Sequence, residues 1–218
     1  MNNRHPQNTN LILHTEPLFR DLPVYTDRGP LIRNYLERIH ETIMLALQDH
    51  ARVACFRFDL RFPSDMEQAI PGVLSRFFDS LRAQLVAYQQ KTLRNRGRLL
   101  KVPLRYIWVK EEGQRGMSHY HVLILLNQDV FKWMGDYSAT SGNLPARIKK
   151  AWASALGILV EDAAGLVHFP ENPVYRINSI NFPVCHGVPE LFYRVSYFAK
   201  VQTKQYGDDS NHFGCSRY

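Results

Sequence analysis

The chain has 218 residues, of which 45% are hydrophobic and 22% are charged. This composition is that of a globular protein and excludes a disordered or collagen-like chain, and the length suits one domain with a core of its own. The net charge of +7 favours a polyanionic partner, most commonly nucleic acid, although a merely basic surface has the same signature.

Cysteine usage and hydropathy indicate the compartment. Cys55, Cys185 and Cys215 are widely spaced and form no CxxC pair, so we expect free thiols in a reducing environment. The N-terminal segment is polar and lacks the apolar core of a signal peptide. No apolar run reaches the roughly 18 residues that a transmembrane helix needs. We therefore expect a soluble cytoplasmic protein without a membrane partner.

The first part of the chain predicts an arm followed by a domain. Residues 1–29 are rich in Asn, Pro and Asp, which is typical of an extended segment that packs on a domain in places. Residues 30–218 form the predicted domain. It opens with apolar residues at helical spacing from Pro30 to Leu47.

Residues 52–63 alternate cleanly in hydrophobicity, which predicts a strand. One of its faces is apolar, and the other carries Arg57, Asp59 and Arg61. These three side chains either form a solvated face with cross-strand salt bridges or hold phosphates, with the carboxylate separating the arginines or assisting a metal ion. The pattern alone leaves both interpretations open.

A long amphipathic helix is predicted at residues 72–96, and a basic segment overlaps its end. This segment, residues 91–105, contains no acidic residue. It is either solvated or a contact for a nucleic-acid backbone. Its basic residues are Lys91, Arg94, Arg96, Arg98, Lys101 and Arg105.

Two strands joined by a glycine-containing turn predict a hairpin at residues 103–127. His119 and His121 in the second strand project from the same face, because side chains alternate along a strand. With nine histidines in the chain, such a pair also arises by chance. Glu111, at the end of the first strand, lies beside the pair in a hairpin and can add an oxygen ligand. Two imidazoles and one carboxylate leave open positions for water or substrate, as catalytic metal sites do.

The segment after the hairpin predicts one helix and two short strands. The helix covers residues 144–156, and the strands lie near residues 166–169 and 174–177. His168 and His186 have no partner at ligand spacing, so we interpret both as surface or loop histidines.

A last helix is predicted at residues 187–200. Tyr193, Tyr197 and Lys200 share one of its faces, because their spacings are those of neighbours on a helix surface. Tyrosines at such positions commonly border a core with the hydroxyl group in water. A lysine one turn from a tyrosine can also ease phenolate formation and balance the charge of an attacked phosphate.

Taken together, these motifs resemble those of the HUH-type endonucleases that start rolling-circle replication. The matching pieces are Glu111, His119-Tyr120-His121 and the downstream YxxxYxxK of Tyr193–Lys200. The phrase EEGQRGMSHYH, with Arg115-Gly116, is similar to the E-xxx-RG-xx-HxH form found in phage and plasmid initiators. FRFDLRFP and the tail YFAKVQTKQYGDDSNHFGCSRY resemble more narrowly the inovirus replication-initiator-like proteins with the YagK/YfjJ C-terminal domain. This closer resemblance covers residues 30–218.

The resemblance implies an α+β fold of the HUH endonuclease type. Such a fold has a ferredoxin- or RRM-like antiparallel sheet, with helices packed on one face and the histidine strand near its centre. The predicted order of strands and helices agrees with it. The resemblance also implies a divalent ion, Mg²⁺ or Mn²⁺, that is bound by His119, His121 and Glu111.

The implied activity is site-specific nicking and rejoining of DNA. Tyr197 would attack a phosphate of single-stranded DNA or of an origin hairpin and leave a 5′-phosphotyrosine bond, with Lys200 supporting it and Tyr193 as a second nucleophile. Which of the two tyrosines attacks first stays open, and the YxxK match favours Tyr197. The reaction would initiate replication of a phage, prophage or plasmid in a bacterial cytoplasm. No GxxxxGK[ST] loop is present, so a host helicase and polymerase are the expected partners. The residues expected to hold DNA are Arg57, Asp59, Arg61, Arg94, Arg96, Arg98, Lys101 and Arg105.

Two positions depart from the family pattern or leave it ambiguous. Ser118 stands where many family members have proline before the first histidine, and Glu112 competes with Glu111 as the third ligand. A non-catalytic nucleic-acid-binding regulator on an RRM-like sheet is a second interpretation of the chain. A zinc-stabilised structural protein is a third, although no four-ligand set is visible in the sequence.

Overall fold

The computed structural model describes residues 4–66, 70–97, 99, 101–113, 117–181, 184–202 and 211–217. Its strands are β1 (Arg4–His5), β2 (Asn8–His14), β3 (Leu18–Phe19), β4 (Leu22–Pro23), β5 (Leu31–Ile32), β6 (Arg52–Arg61), β7 (Arg105–Glu112), β8 (Ser118–Asn127), β9 (Val167–His168), β10 (Val174–Asn181), β11 (Val184–His186) and β12 (Phe213–Cys215). Its helices are α1 (Arg33–Asp49), α2 (Val73–Arg96), α3 (Leu144–Leu156) and α4 (Val188–Ser196), with 3-10 turns at Ala164–Leu166 and Tyr197–Ala199. None of the helices in these described ranges combines the length and hydrophobicity that a membrane span requires.

A central antiparallel sheet runs through the molecule in the order β11-β10-β6-β8-β7-β12, and β9 pairs with the end of β6. β6 and β8 form its middle and pair continuously, from Val53 opposite Asn127 to Arg61 opposite His119. β7 lies on the other side of β8, as the predicted hairpin requires. The histidine strand therefore lies at the centre of the sheet.

Helices cover both faces of this sheet. α2 and α3 pack against one face, in a core that includes Phe56, Phe58 and Trp152. α1 and α4 pack against the other face, in a core that includes Leu36 and Phe192. The predicted α+β class with an antiparallel sheet is confirmed, but the expectation that the helices share one face is wrong.

The polar face of β6 explains this difference. Every residue from Val53 to Leu60 is buried, and Arg57 and Asp59 are only 9% and 6% exposed. The ring of Phe198, in the turn after α4, lies 6.0 Å from the Arg57 guanidinium and helps to cover this face. The face of β6 that carries Arg57 and Asp59 is therefore buried and not exposed to solvent.

The N-terminal arm is part of the same packing. β2 pairs with β5, and Phe19 is buried in the core that contains α4. The backbone N–H of Tyr25 donates a hydrogen bond to Ser196 Oγ at the end of α4. Leu31 forms an isolated bridge with Lys200 just beyond that helix. These contacts hold the end of α4, where the predicted nucleophile lies.

Gly187 sets the start of α4 through a close approach to β10. Its φ of +75° lies in the left-handed region, and an added Cβ would lie 2.1 Å from the carbonyl oxygen of Arg176. We expect Gly187→Ala to lower the free energy of unfolding by at least about 2 kcal/mol, because backbone strain and a backbone clash add together. Chemical denaturation measures this loss.

Gly157→Ala is the matched control for that substitution. Gly157 has a φ of +73°, but nothing lies within 4 Å of an added Cβ. Strain alone should then cost about 1 kcal/mol. Equal losses in the two variants would contradict the close approach of Gly187 to β10.

Candidate metal centre

Two strand registers bring the site residues together near one end of the sheet. In the β7–β8 pair, Glu111 lies opposite His119 and Val109 lies opposite His121. In the β6–β8 pair, Asp59 lies opposite His121. Because side chains alternate along strands, the two acidic and the two histidine side chains project from one face, which is the face that α4 covers.

Glu111, His119 and His121 form a group that can bind a metal ion. One ligand atom of each lies within 4.8 Å of the others. The Nε2 atoms of His119 and His121 are 3.2 Å apart, and Glu111 Oε2 lies 3.3 Å from His121 Nε2. Glu111 Oε1 is buried and has no hydrogen-bond partner among the described residues. A divalent ion fits this group, because it would satisfy both the buried oxygen and the converging nitrogens.

Glu111, rather than its neighbour Glu112, faces the histidines. Glu111 is 3% exposed and belongs to the metal-binding group. Glu112 lies opposite Ser118 and, as the next residue of the strand, projects from the other face. The register therefore places Glu111, and not Glu112, in the metal-binding group.

Asp59 orients His121 from the neighbouring strand β6. Its Oδ1 lies 2.6 Å from His121 Nδ1, so the ring donates its Nδ1–H to the carboxylate and leaves Nε2 for a metal ion. Asp59 Oδ2 is 3.4 Å from His168 Nδ1, and the Arg57 guanidinium is 3.7 Å from Asp59 Oδ1. These contacts support the interpretation in which the carboxylate assists a metal ion.

The pKa values of Glu111 and His119 match the needs of metal coordination, whereas that of His121 favours the protonated ring. Burial raises the pKa of the Glu111 carboxyl, but hydrogen bonds and charges from His121 and Lys200 outweigh burial and bring the pKa to about 2. Burial lowers the pKa of His121, but Asp59 and Glu111 outweigh it, so this pKa is raised. Burial and the charge of His121 lower the pKa of His119. Neutral pH thus favours an ionised Glu111 and a neutral His119, the forms that bind metals.

The end of α4 brings a tyrosine and a lysine to this group. A 3-10 turn at Tyr197–Ala199 replaces the predicted continuation of the helix to Lys200. Lys200 is 3% exposed, its Nζ lies 2.8 Å from Glu111 Oε2, and it donates a hydrogen bond to the Tyr197 hydroxyl. The ring centre of Tyr197 is 6.1 Å from that of His121. The two predicted constellations therefore meet in one cluster.

Lys200→Met is expected to lower the free energy of unfolding by about 3 kcal/mol, because it leaves the buried Glu111 carboxylate without its ammonium partner. The double variant Lys200→Met/Glu111→Gln removes both charges and should recover most of that loss. Urea denaturation of the wild type and the two variants measures both effects. If Lys200→Met were as stable as the wild type, the ion pair would contribute nothing to the free energy of unfolding.

Tyr193 lies one helical turn before Tyr197 and has different neighbours. It is 41% exposed, and its ring packs edge-on against Tyr25 with the ring centres 5.7 Å apart. It lines a separate pocket with Arg28 and Arg194. Tyr197 is thus the tyrosine whose ring contacts His121, and the role of Tyr193 stays a prediction.

A cleft of about 530 Å³ opens beside the histidines. Its lining includes both imidazoles together with Arg61, Met117 and Leu166. Arg61 is exposed and lies opposite His119 in the sheet, and a contact between Arg61 and DNA stays a prediction.

The basic segment lies at the other end of the sheet. Arg105 precedes Glu111 by six residues on β7, which places it roughly 20 Å away. It forms an ion pair with Asp49 at 2.7 Å. Arg94 and Lys101 are exposed. A contact between these residues and DNA stays a prediction.

Some of the predicted positions lie outside the described residues. These are Arg98 and Arg115-Gly116, together with the side chain of Arg96.

Sequence patterns did not indicate two residues that contact the predicted site. His168 lies on β9, which pairs with β6, and therefore contacts Asp59. Its side chain is 45% exposed, as expected of a surface histidine, but the contact with Asp59 was not predicted. A histidine within a predicted short strand was the available signal. Tyr25 reaches Tyr193 and Tyr197 from the arm, and nothing in the composition of the arm marks it.

Asp59→Asn is expected to weaken Mn²⁺ binding by about tenfold or more, because the amide lacks the negative charge that holds the Nδ1–H of His121 and makes its Nε2 a stronger ligand. Titration followed by the electron paramagnetic resonance of free Mn²⁺ measures the affinity. His168→Ala is the matched control, since it removes another partner of Asp59 and keeps the bond to His121. An unchanged affinity in Asp59→Asn would show that this carboxylate does not position the ligand.

Fold and site together define an α+β protein with a Glu-His-His group that can bind a metal ion. Residues 14–216 match the family model of the YagK/YfjJ C-terminal domain, and the chain belongs to that family. It is similar to "Uncharacterized protein YagK" of Escherichia coli (strain K12), with 34% identity over 198 residues, 87% of this chain and 95% of that protein. It is also similar to "Uncharacterized protein YfjJ" of the same organism, with 33% identity over 203 residues, 87% of this chain and 96% of that protein. No solved structure matches the chain.

Proposed function

We propose that the chain nicks and rejoins single-stranded DNA through a covalent bond to Tyr197, and so initiates rolling-circle replication of a phage, prophage or plasmid. One observation carries this proposal. The Lys200 ammonium contacts both the Tyr197 hydroxyl and the Glu111 carboxylate, so a nucleophile and a metal-binding group form one cluster. This combination is what metal-assisted phosphoryl transfer to a tyrosine needs.

The number of ligands also favours a catalytic site. Among the described residues, Glu111, His119 and His121 form a group of three rather than four. Structural zinc sites are almost always closed by four protein ligands, whereas catalytic sites keep a position open. A divalent ion held by these three residues would polarise the scissile phosphate as a Lewis acid. Two imidazoles suit Mn²⁺ better than Mg²⁺, and both ions are proposed to support the reaction.

Tyr197 performs the bond exchange in the proposed reaction. Its Oη attacks the phosphorus, the O3′ atom of the neighbouring nucleotide leaves with the proton, and a 5′-phosphotyrosine bond replaces the phosphodiester bond. Lys200 donates its hydrogen bond to Oη and stabilises the negative charge of the phenolate. Because one phosphoester replaces another, the free 3′-hydroxyl can prime synthesis or reseal the strand without a nucleotide cofactor. Tyr193, one turn away on α4, would accept a second strand end.

Incubation with single-stranded oligonucleotide pools and Mn²⁺ tests the proposal. A protein–DNA species that survives a denaturing gel is expected, and mass spectrometry of its peptides should find the nucleotide on Tyr197. If no pool yields such a species, or if the nucleotide is on a residue outside α4 and its following turn, the proposal is wrong. DNA binding without any adduct would favour the second interpretation, a non-catalytic regulator.

A further inference from the structure

A second pocket, of about 340 Å³, lies on the α4 side of the site. We call it the arginine–tyrosine pocket, and it is lined by Tyr25, Arg28, Arg57, Tyr193, Arg194 and Tyr197. It shares Tyr197 with the metal-binding cluster and joins two segments far apart in sequence, the arm and α4. Neither Tyr25, Arg28 nor Arg194 has a role in the reaction proposed above.

The positive charge of this pocket favours the binding of an anion. Three guanidinium groups and no carboxylate line it. In the described part of the chain, neither Arg28 nor Arg194 forms an ion pair. Arg57 is 9% exposed; one end of its guanidinium pairs with Asp59, but its Nε is buried without a hydrogen-bond acceptor among the described residues. A buried donor without an acceptor is costly, so a ligand that brings oxygen atoms to Arg57 would satisfy it.

The aromatic side chains of the pocket indicate the rest of the ligand. Tyr25 lies between the other two rings, with its ring centre 5.7 Å from that of Tyr193 and 6.0 Å from that of Tyr197. Tyr193 is 41% exposed, so part of its ring is available for contact. Single-stranded nucleic acid binds to surfaces of this kind, where aromatic rings stack on unpaired bases and basic groups hold the backbone.

We propose that the arginine–tyrosine pocket binds one nucleotide of single-stranded DNA, next to the phosphate that Tyr197 attacks. Arg28, Arg57 and Arg194 hold the phosphate oxygens, and Tyr25 and Tyr193 contact the base. The identity of the nucleic acid rests on the proposed function. The pocket accepts a single strand rather than a duplex, because the base must leave its stack to reach the rings.

The salt dependence of binding tests the arginines. Fluorescence anisotropy of a fluorescein-labelled oligothymidylate is recorded over a range of salt concentrations in EDTA, where no cleavage takes place. Arg28→Ala and Arg194→Ala should each reduce the slope of log affinity against log salt by about 0.7, the value for one phosphate contact on a single strand. Arg82→Ala is the matched control, since Arg82 is exposed on α2 at the opposite face of the sheet and pairs with Asp79. Slopes in the pocket variants equal to that of Arg82→Ala, or no binding by the wild type, would overturn the proposal.

Substitution of Tyr25 tests the base contact. Tyr25→Leu should weaken binding of the oligothymidylate roughly fivefold or more, whereas Tyr25→Phe should retain it, because stacking needs only a ring. Both variants keep the backbone N–H that bonds to Ser196, and thermal unfolding checks that they fold. A DNA duplex of the same length should bind to Tyr25→Leu and Tyr25→Phe with equal affinity. An equal loss of duplex binding in Tyr25→Leu would overturn the assignment of a single strand.

These measurements are independent of nicking, because they use metal-free protein. Wild-type binding with the expected variant effects, but without an adduct in Mn²⁺, would leave the pocket assigned and overturn the proposed function. If an adduct forms in Mn²⁺ but the pocket variants bind DNA like the wild type, the proposed function stands and the assignment of the pocket is overturned.

Discussion

Tyr197→Phe is expected to abolish the covalent protein–DNA species, with a loss of rate of at least about a thousandfold, because the phenyl ring carries no nucleophilic oxygen. Mn²⁺ affinity should be unchanged, since Tyr197 is not one of the three ligands. The fold should persist, because only the hydroxyl that contacts Lys200 is lost. A denaturing gel after incubation with single-stranded DNA and Mn²⁺ measures the species directly.

Tyr193→Phe is the matched control for this loss. Its hydroxyl belongs to the exposed tyrosine of α4, one turn before Tyr197, so the first nick should proceed at close to the wild-type rate. Loss of the adduct in Tyr193→Phe, with its retention in Tyr197→Phe, would reverse the assignment of the first nucleophile. Retention of the adduct in the double variant would contradict a tyrosine nucleophile altogether.

His121→Ala is expected to remove both Mn²⁺ binding and adduct formation. His121 Nε2 lies 3.2 Å from His119 Nε2 and 3.3 Å from Glu111 Oε2, so its loss leaves two ligands that do not hold a divalent ion at micromolar concentration. Binding of single-stranded DNA in EDTA should remain and should keep its salt dependence, because phosphate contacts supply most of that affinity. Calorimetric titration with Mn²⁺ and the denaturing gel measure the two losses.

Two further variants make this result specific. His121→Gln fills the space of the buried ring, so a loss shared by both variants cannot be assigned to a cavity. His186→Ala removes a histidine outside the metal-binding group and should leave Mn²⁺ affinity unchanged. Mn²⁺ binding that persists in His121→Gln with wild-type affinity would contradict the assignment of His121 as a ligand.

Local patterns predicted the elements that lie in one continuous stretch. Residues 72–96 and 144–156 correspond to α2 and α3, because their apolar stripes repeat with the period of a helix. The metal-binding group could be predicted from the sequence for a similar reason. Glu111 and His119 face each other across a single hairpin, so spacing along the chain is enough to place them together.

Contacts between distant segments could not be derived in this way. Asp59 and His121 are 62 residues apart in sequence, and their bond depends on β6 pairing with β8 rather than with an element next to it in the chain. The polar residues of β6 do not show by themselves whether that face of the strand is exposed to water or covered. The packing of α4 against it decides this. A regular helix up to Lys200 was expected, but the 3-10 turn after α4 changes the direction in which this lysine points.

Coverage of both faces of the sheet limits how a nucleic acid can approach the protein. RNA-recognition domains lay their ligand across an open sheet and stack bases on its aromatic residues. In the described part of this chain, nearly all residues of β6 and β8 are buried, so these strands offer no such platform. A nucleic-acid strand must instead contact the protein at the edge of the sheet, where the ends of the β-strands lie beside α4. Under the proposed function, the DNA would contact the protein over a few nucleotides around the phosphate that Tyr197 attacks, whereas a regulator that binds along β6 and β8 does not fit these buried strands.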